Sequence, residues 1–188
     1  MQKMNKERVQ ELISELIKEI EGNDELRPAT IETPRRVANS YSEIFDGYQL
    51  DLDKDIKIFK AQYSEIIISK DIKFYSMCEH HILPFYGTID IVYMPGEFLL
   101  GISKFVRVVN YFTHRLNVQE KMTDDIANYL MDCALKPRGV MVIVKGTHLC
   151  EIMRGVKQSS PIMITSAIKG IFKTNPTTRS EALELLKI

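Results

Sequence analysis

The chain has 188 residues, of which 45% are hydrophobic and 27% charged, and its 25 basic residues balance 25 acidic ones. This composition is typical of a single globular domain, and a formal charge of zero argues against a general nucleic-acid-binding surface. No apolar run approaches membrane-spanning length, and the first seven residues lack the apolar core of a signal peptide. The odd number of cysteines, three, favours reduced thiols, so we expect a cytoplasmic protein.

Sequence patterns predict five helices and four strands. Helical spacing of apolar residues and the stop signal Gly22-Asn23 define the first helix. A Thr-Pro pair marks the start of the second, and runs rich in β-branched and aromatic residues indicate strands. In chain order we predict helices over residues 4–21 and from an N-cap at Thr33 to about Phe45, strands over 64–77 (with a break near Lys70-Asp71) and 86–94, a helix from Ser103 to about Leu116, a helix capped by Thr123, strands over 139–147 and 161–168, and a last helix with the capping box Thr178-x-x-Glu181.

The order of these elements predicts the fold class. Strands follow one another in pairs and helices are grouped, which is typical of an α+β fold with an antiparallel sheet. We expect residues 1–50 to be a helical appendage and residues 51–188 to form one structural unit. A sheet this small has edges and one face left to cover, so oligomerisation is plausible.

The strongest chemical signal is a cluster of thiols and imidazoles. Cys78 and His81 have the Cys-x-x-His spacing that lets one tight turn offer sulfur and nitrogen to a zinc ion. His148 and Cys150 lie at i and i+2 near a predicted strand end, so we expect their side chains to share one face. The pattern indicates zinc held by Cys78, His81 and Cys150, with His80 and His148 left for substrate contact and proton transfer.

Other interpretations of this cluster remain open. The zinc could be structural, with His80 or His148 as fourth ligand, and spacing alone does not distinguish that from a catalytic site. Buried core cysteines or incidental histidines are poorer explanations of such close clustering. Cys133, in the middle of a predicted apolar helix face, is interpreted as a core residue.

An anion site is also indicated, although the chain has no glycine-rich phosphate loop. Ser103 is predicted to begin a helix with free backbone N–H groups, and Lys104 and Arg107 follow on one face. Arg154 lies four residues past Cys150. If these groups converge, a polyanion would bind beside the metal; a solvated helix face is the alternative.

Glu120, next to Gln119, could accept two parallel hydrogen bonds from a purine N1–H and exocyclic amine. The spacing does not distinguish this role from that of a surface charge.

Six segments of the chain resemble the GTP cyclohydrolase I family, in family order and at family spacing. The Cys-Glu-His-His segment with Pro-Phe after it is the most specific of them. They are Thr33-Pro34-x-Arg36-Val37-Ala38, residues 76–85, Gly101-x-Ser103-Lys104-x-x-Arg107, Val118-Gln119-Glu120-x-x-Thr123, His148-x-Cys150-x-x-Arg154-Gly155 and Thr178-Arg179-x-Glu181.

The resemblance implies conversion of GTP and water to 7,8-dihydroneopterin triphosphate and formate, the first step of tetrahydrofolate and other pterin biosynthesis. It implies the tunnelling fold, in which subunits assemble a β-barrel, usually as a homodecamer of two pentamers with interfacial active sites. It implies no nucleic-acid or membrane partner. By position, it implies zinc ligands Cys78, His81 and Cys150, acid/base residues His80 and His148, guanine contacts Glu120 and Gln119, triphosphate contacts Lys104, Arg107, Arg154 and less certainly Arg36, and Ser103 near the ribose.

The sequence departs from the family pattern at a few positions. Glu151 follows a zinc ligand where an apolar residue is usual, Met163 replaces a frequent threonine, and Leu116-Asn117 is unusual. These departures bear on rates and packing, since none removes a proposed ligand. Two competing functions are a zinc deaminase, whose His-x-Glu and Pro-Cys-x-x-Cys signature the chain lacks, and a non-catalytic protein with a four-ligand structural zinc.

Overall fold

The computed structural model describes residues 3–158 and 161–188. No helix within these ranges is both long and apolar enough to cross a membrane. The described helices are α1 (Lys6–Glu21), α2 (Thr33–Ile44), α3 (Leu52–Asp55), α4 (Ile102–Thr113), α5 (Gln119–Asp132), α6 (Leu149–Ile152), α7 (Ile171–Thr174) and α8 (Pro176–Leu185), with a 3-10 turn at Asp46–Tyr48 after α2.

The described strands form two sheets. The larger has the order β5-β2-β3-β6-β7, with antiparallel pairs except for the short parallel contact between β2 and β5. The smaller pairs β1 with β4. The strands are β1 (Ile58–Lys60), β2 (Ile67–Cys78), β3 (Pro84–Met94), β4 (Phe98–Leu100), β5 (Leu116–Asn117), β6 (Gly139–His148) and β7 (Met163–Gly170).

The mixed helix and sheet architecture was predicted, and so were its main elements in order. The predicted break in β2 is also present, because the register with β3 shifts between Ser69 and Ile72. There Asp71 has φ 57°, and its N–H donates to the buried carboxylate of Asp90 at 2.8 Å. The short strands β1 and β4 and the one-turn helices were missed, since elements of two to four residues carry too little periodicity to detect.

Two predicted helix caps were wrong. Thr123 lies inside α5, where its Oγ1 donates to the carbonyl of Gln119 one turn earlier. Thr178 lies inside α8, whose N-cap is Asn175, with Oδ1 accepting from the N–H groups of Thr177 and Thr178. A threonine hydroxyl or an asparagine amide can hydrogen-bond to the nearby backbone both at a helix start and inside a helix. Residue type alone therefore does not fix where a helix begins.

Two other predicted helix starts were displaced by one or two residues. Thr33 is the first residue of α2 and follows the N-cap Glu32. Helix α4 starts at Ile102 after the N-cap Gly101, so Ser103 is its second residue.

The core lies between one face of the large sheet and the helices α4 and α5. Phe85, Ile89 and Val142 from the sheet and Val108 and Ile126 from the helices are among its fully buried members. The opposite face is covered only at one end, by α7 and α8. Elsewhere on that face Tyr75 and Tyr86 stack at 6.1 Å and are 70% and 42% exposed. In a single chain this face is therefore largely open and combines exposed aromatic side chains with the Lys145–Asp90 ion pair.

The N-terminal helices touch the rest of the chain through the 3-10 turn. Helix α1 has no buried residue and packs on α2. Arg115 donates two hydrogen bonds to the carbonyl of Gly47, at 2.7 and 3.2 Å, and lies 4.0 Å from the ring centre of Tyr111. Asp46 contacts His114 Nδ1 at 2.7 Å. The division into residues 1–50 and 51–188 stays a prediction.

Arg115→Lys should lower the free energy of unfolding by about 1–2 kcal/mol, because an ammonium cannot keep both hydrogen bonds and the planar stack on Tyr111. Thermal and urea unfolding measure the change. Arg35→Lys is the matched control, since Arg35, exposed on α2, forms a surface ion pair with exposed Glu32 just before that helix. Equal effects of the two substitutions would contradict the anchoring role of Arg115.

Candidate functional site

A tight turn between β2 and β3 brings Cys78 and His81 together. Cys78 is the last residue of β2; its N–H donates to the carbonyl of Leu83, and its carbonyl accepts from the N–H of Ile82, each at 2.9 Å. Ile82 has φ 52°, a left-handed conformation that is rare for a β-branched residue. The turn returns the chain so sharply that Cys78 Sγ lies 3.7 Å from His81 Nδ1.

Cys150 completes a group of three. Strand β6 pairs with β3 so that His148 lies opposite Phe85, beside the turn, and Cys150 follows on the one-turn helix α6. The ligand atoms of Cys78, His81 and Cys150 all lie within 4.8 Å of one another. The prediction that His148 and Cys150 share one strand face was wrong, because β6 ends at His148 and the helical turn redirects Cys150.

The donor set fits a zinc ion. Tetrahedral zinc, with bonds of about 2.3 Å to sulfur and 2.0 Å to nitrogen, holds its ligand atoms about 3.5–3.8 Å apart. The distance from Cys78 to His81 already matches this. Burial raises the pKa of the Cys150 thiol, and Cys78 beside it acts in the same direction. A bound cation would reverse that effect by stabilising the thiolates.

The group has three members among the described residues, and neither remaining nearby histidine joins it. The exposed His80 points away, with its ring centre 6.3 Å from that of His81. His148 is bonded elsewhere. A structural site with four protein ligands therefore has no support in residues 3–158 and 161–188, whereas three ligands leave a position open for water.

His148 is held by two contacts. Its ring stacks on the buried Phe85, with centres 4.5 Å apart and planes 4° from parallel. Its Nε2 lies 2.8 Å from Gln119 Oε1. Burial lowers the pKa of His148, and the charges of Glu120 and Glu151 act in the opposite direction. The neutral ring is therefore favoured at neutral pH, within reach of two carboxylates.

The start of α5 is fixed beside the turn by Asn117. Its carbonyl accepts from the N–H of Glu79 at 3.0 Å, and its Nδ2 donates to Ser76 Oγ at 2.9 Å and to the carbonyl of Phe112 at 2.8 Å. Helix α5 then opens with Gln119 buried and Glu120 exposed. Ser76 lies within a matching segment and Leu116-Asn117 had stood out as unusual, but neither was predicted to support the site.

The predicted anion-binding residues on α4 lie away from this group. The N–H of Leu100, just before α4, donates to the hydroxyl of Tyr93, and Tyr93 is eight residues beyond Phe85 on β3. At about 3.3 Å per residue this is roughly 25 Å along the strand. Lys104, in the first turn of α4, therefore does not converge with the Cys-His-Cys group within one chain.

The individual settings of the anion-binding candidates differ. Lys104 is 8% exposed, and Arg107 pairs with Asp55 at 2.8 Å. Ser103 is exposed on the first turn of α4, Arg154 is exposed just beyond α6, and Arg36 is exposed on α2. Of these residues, only Arg154 follows closely on a member of the metal-ligand group.

Comparison with known proteins identifies the family. Residues 9–187 match the sequence profile described as GTP cyclohydrolase I. Proteins named GTP cyclohydrolase 1 are similar over nearly the whole chain. That of Leptospira biflexa is 42% identical, and the alignment covers 95% of this chain and 98% of the relative. That of Bacillus mycoides is 40% identical, and the alignment covers 100% of this chain and 99% of the relative. The Wolinella succinogenes protein, also named GTP cyclohydrolase 1, is 43% identical, and the alignment covers 85% of this chain and 86% of the relative. The apo structure of the archaeosine synthase QueF-Like aligns with 58% of this chain and 97% of its own, at 19% identity and a TM-score of 0.46.

Cys150→Ser and His81→Ala should each lower the zinc content of protein purified from zinc-replete cells by at least about tenfold, because two ligands hold zinc far less tightly than three. Elemental analysis of the purified protein measures it. Cys133→Ser is the control, since this partly buried thiol packs against the core outside the group. Full zinc in Cys150→Ser, or its loss in Cys133→Ser, would contradict the assigned ligands.

Proposed function

The chain belongs to the GTP cyclohydrolase I family, and we propose that it converts GTP and water to 7,8-dihydroneopterin triphosphate and formate at a zinc ion held by Cys78, His81 and Cys150. The reaction is the first step of pterin and folate biosynthesis. The observation that carries the proposal is the three-membered Cys-His-Cys group, with a half-buried histidine and an exposed carboxylate beside it, in a chain of this family.

The zinc proposal rests on chemistry as well as distance. Two thiolates and one imidazole are the donors that zinc prefers, and a three-ligand group leaves room for water. Zinc there would lower the pKa of a bound water molecule far below its value in bulk, to about 7, which would supply a nucleophile at neutral pH. The cytoplasm, which keeps thiols reduced, preserves both cysteines for this role.

Two histidines would move the protons. Hydrolysis at C8 of guanine requires a proton on the neighbouring ring nitrogen as water adds, and His148 has an imidazole held rigidly next to the metal ligands. His80 lies exposed on the turn and is available for the later ribose opening, rearrangement and reclosure. Imidazole titrates near working pH, so the same side chain can donate a proton and take one back.

Glu120 would hold the guanine edge. It is exposed at the N-terminus of α5, and it lies close enough for its charge to act on His148. An ionised carboxylate accepts two parallel hydrogen bonds from the N1–H and the exocyclic amine of guanine. This contact would orient C8 toward the metal.

The triphosphate contacts point to an interfacial site. Arg154 lies just past a proposed metal ligand, whereas Ser103 and Lys104 lie in the first turn of α4, near the other end of the sheet, and Arg107 follows one turn later. We propose that a neighbouring subunit supplies these α4 residues to each GTP, with Arg36 as a further candidate. In this arrangement one chain binds the guanine beside the metal, and its neighbour binds the triphosphate of the same GTP through α4.

The sheet has the edges that such an assembly needs. Strand β7 ends the sheet on one side, and on the other β5 covers only Met77 and Cys78 of the twelve-residue β2. Unpaired edges of this length are normally protected or paired. We propose that subunits join edge to edge into the β-barrel of a tunnelling fold and that two pentamers form a decamer, which covers the face with Tyr75 and Tyr86.

Zinc-loaded protein given GTP should release formate and a pterin in equal amounts, measured by a coupled formate assay and by fluorescence after oxidation. His80→Ala and Cys150→Ser should each lower kcat by at least about a hundredfold, since each removes a group used in the chemistry. Ammonia in place of formate would favour a deaminase. Binding of GTP without either product would favour a non-catalytic protein.

Subunit mixing tests the interfacial site. Cys150→Ser and the double variant Lys104→Ala/Arg107→Ala should each be nearly inactive at low GTP, but co-expression should restore part of the activity, because some interfaces then combine two intact halves. Cys150→Ser with His81→Ala is the control pair, since both defects lie in the same half and no intact site can form. Absence of rescue in the first pair, in co-assembled protein, would contradict an interface site.

A further inference from the structure

We infer that Gln119 is a positioning residue that holds neutral His148 in the tautomer with its hydrogen on Nε2, so that Nδ1 is the nitrogen that exchanges a proton with the substrate. The proton's destination rests on the proposed function. The tautomer rests only on contacts within the chain. The inference gives Gln119 a task other than the guanine contact implied by family resemblance.

The orientation of the Gln119 amide is set by the sheet. Its Nε2 lies 3.0 Å from the carbonyl oxygen of Met163, 3.3 Å from that of Val144 and 3.1 Å from Thr165 Oγ1. Carbonyl oxygens only accept hydrogen bonds, so the NH2 group must face them. The flipped amide would press Oε1 against two carbonyl oxygens and would leave those two acceptors without the hydrogens that the NH2 group now supplies.

The neighbouring threonines agree with this orientation. Thr123 Oγ1 donates its one hydrogen to the carbonyl of Gln119 at 2.7 Å. It therefore accepts from Thr165 Oγ1, which lies 2.7 Å away. Thr165 has then given up its own hydrogen, and it meets Gln119 Nε2 as an acceptor. Every hydroxyl and amide in the network is satisfied in this one arrangement.

The amide orientation decides the state of His148. Gln119 Oε1, which can only accept, faces His148 Nε2 at 2.8 Å, so Nε2 carries the hydrogen. In the neutral ring Nδ1 then bears the lone pair. Within residues 3–158 and 161–188, Nδ1 has no hydrogen-bond partner, so it is the nitrogen left for other molecules.

The site is built closely around this contact. Gln119 is 1% exposed, and a Cβ added to Gly146 would lie 2.2 Å from Gln119 Oε1. Glycine at this position therefore leaves the room that the amide oxygen occupies. Phe85 fixes the plane of the His148 ring, and turning that ring over would set a C–H group against Oε1.

The arrangement suits a group that gains and loses a proton. The imidazolium form also donates from Nε2, so the bond to Gln119 is kept while Nδ1 takes up and releases one proton. As water adds to C8, the lone pair on Nδ1 would accept a proton from that water, and the Nδ1–H so formed would pass it to the guanine ring nitrogen, which returns His148 to its neutral form. Direct contact of Gln119 with guanine would require breaking this buried network.

Nitrogen-15 NMR of the zinc-loaded protein tests the tautomer without any turnover. The chain has 4 histidines, so His148→Asn identifies the His148 signals by their loss. At pH 8, above the ordinary histidine pKa of about 6.5, the nitrogen-15 chemical shift of His148 Nε2 should be that of a protonated ring nitrogen, and the shift of Nδ1 should be that of an unprotonated one. A hydrogen on Nδ1 in the wild-type protein would overturn the inference, whether or not the protein consumes GTP.

Two variants separate positioning from packing. Gln119→Met keeps the side chain's length but removes both polar ends, and Gly146→Ala displaces the same amide oxygen without altering Gln119. Each should shift His148 toward a mixture of tautomers and lower kcat about tenfold to a hundredfold, with KM for GTP changed by less than about threefold. An unchanged tautomer in both, or a rise in KM with kcat intact, would overturn the inference.

Thr165→Val is the matched control. It removes one acceptor of Gln119 Nε2 but leaves both carbonyl acceptors and the bond to His148. It should lower the melting temperature while the tautomer stays on Nε2 and kcat stays within about threefold. A loss of the tautomer in Thr165→Val equal to that in Gln119→Met would assign the effect to general loosening and overturn the inference.

Discussion

The antiparallel pairing of β3 with β6 is the constraint on which the site depends. It sets His148 opposite Phe85 and brings the end of β6 beside the turn that begins at Cys78. Because the pleat alternates faces with a period of two, a slip of one residue would carry His148 to the open face of the sheet. The proposed metal ligands, the proposed acid/base residue His148 and its buried amide partner Gln119 are therefore positioned by the same strand pairing.

Polar groups inside the core give this site its rigidity. Gln119, Thr123 and Thr165 form a network between α5 and the sheet, and an unmet buried amide would cost about 1–3 kcal/mol. Asn117 and Ser76 form a second hydrogen-bond network, between α4 and the turn. These bonds tie both helices to the strands that carry the ligands, so the catalytic geometry and the stability of the fold are maintained by the same contacts.

The sheet of a single chain leaves surfaces free that the proposed assembly would use. One face is packed by α4 and α5, whereas the other retains exposed aromatic side chains, and within the described residues both edges are largely unpaired. Lys104, in the first turn of α4, lies near the end of the sheet opposite to the Cys-His-Cys group. Association through these edges would both bury apolar surface and bring the two halves of a substrate site together.

Local sequence determined the elements and the chemistry, and tertiary structure decided their arrangement. The Cys-x-x-His spacing, the periodic helices and the strand runs could be read directly, because each depends on residues close in the chain. The position of Cys150 on a helical turn, the partners of Gln119 and the separation of Lys104 from His81 could not, because they follow from strand register. Gln119 is the clearest case: its residue type allows contact with a base or with a half-buried histidine, and the carbonyl groups of the two strands brought beside it select the second.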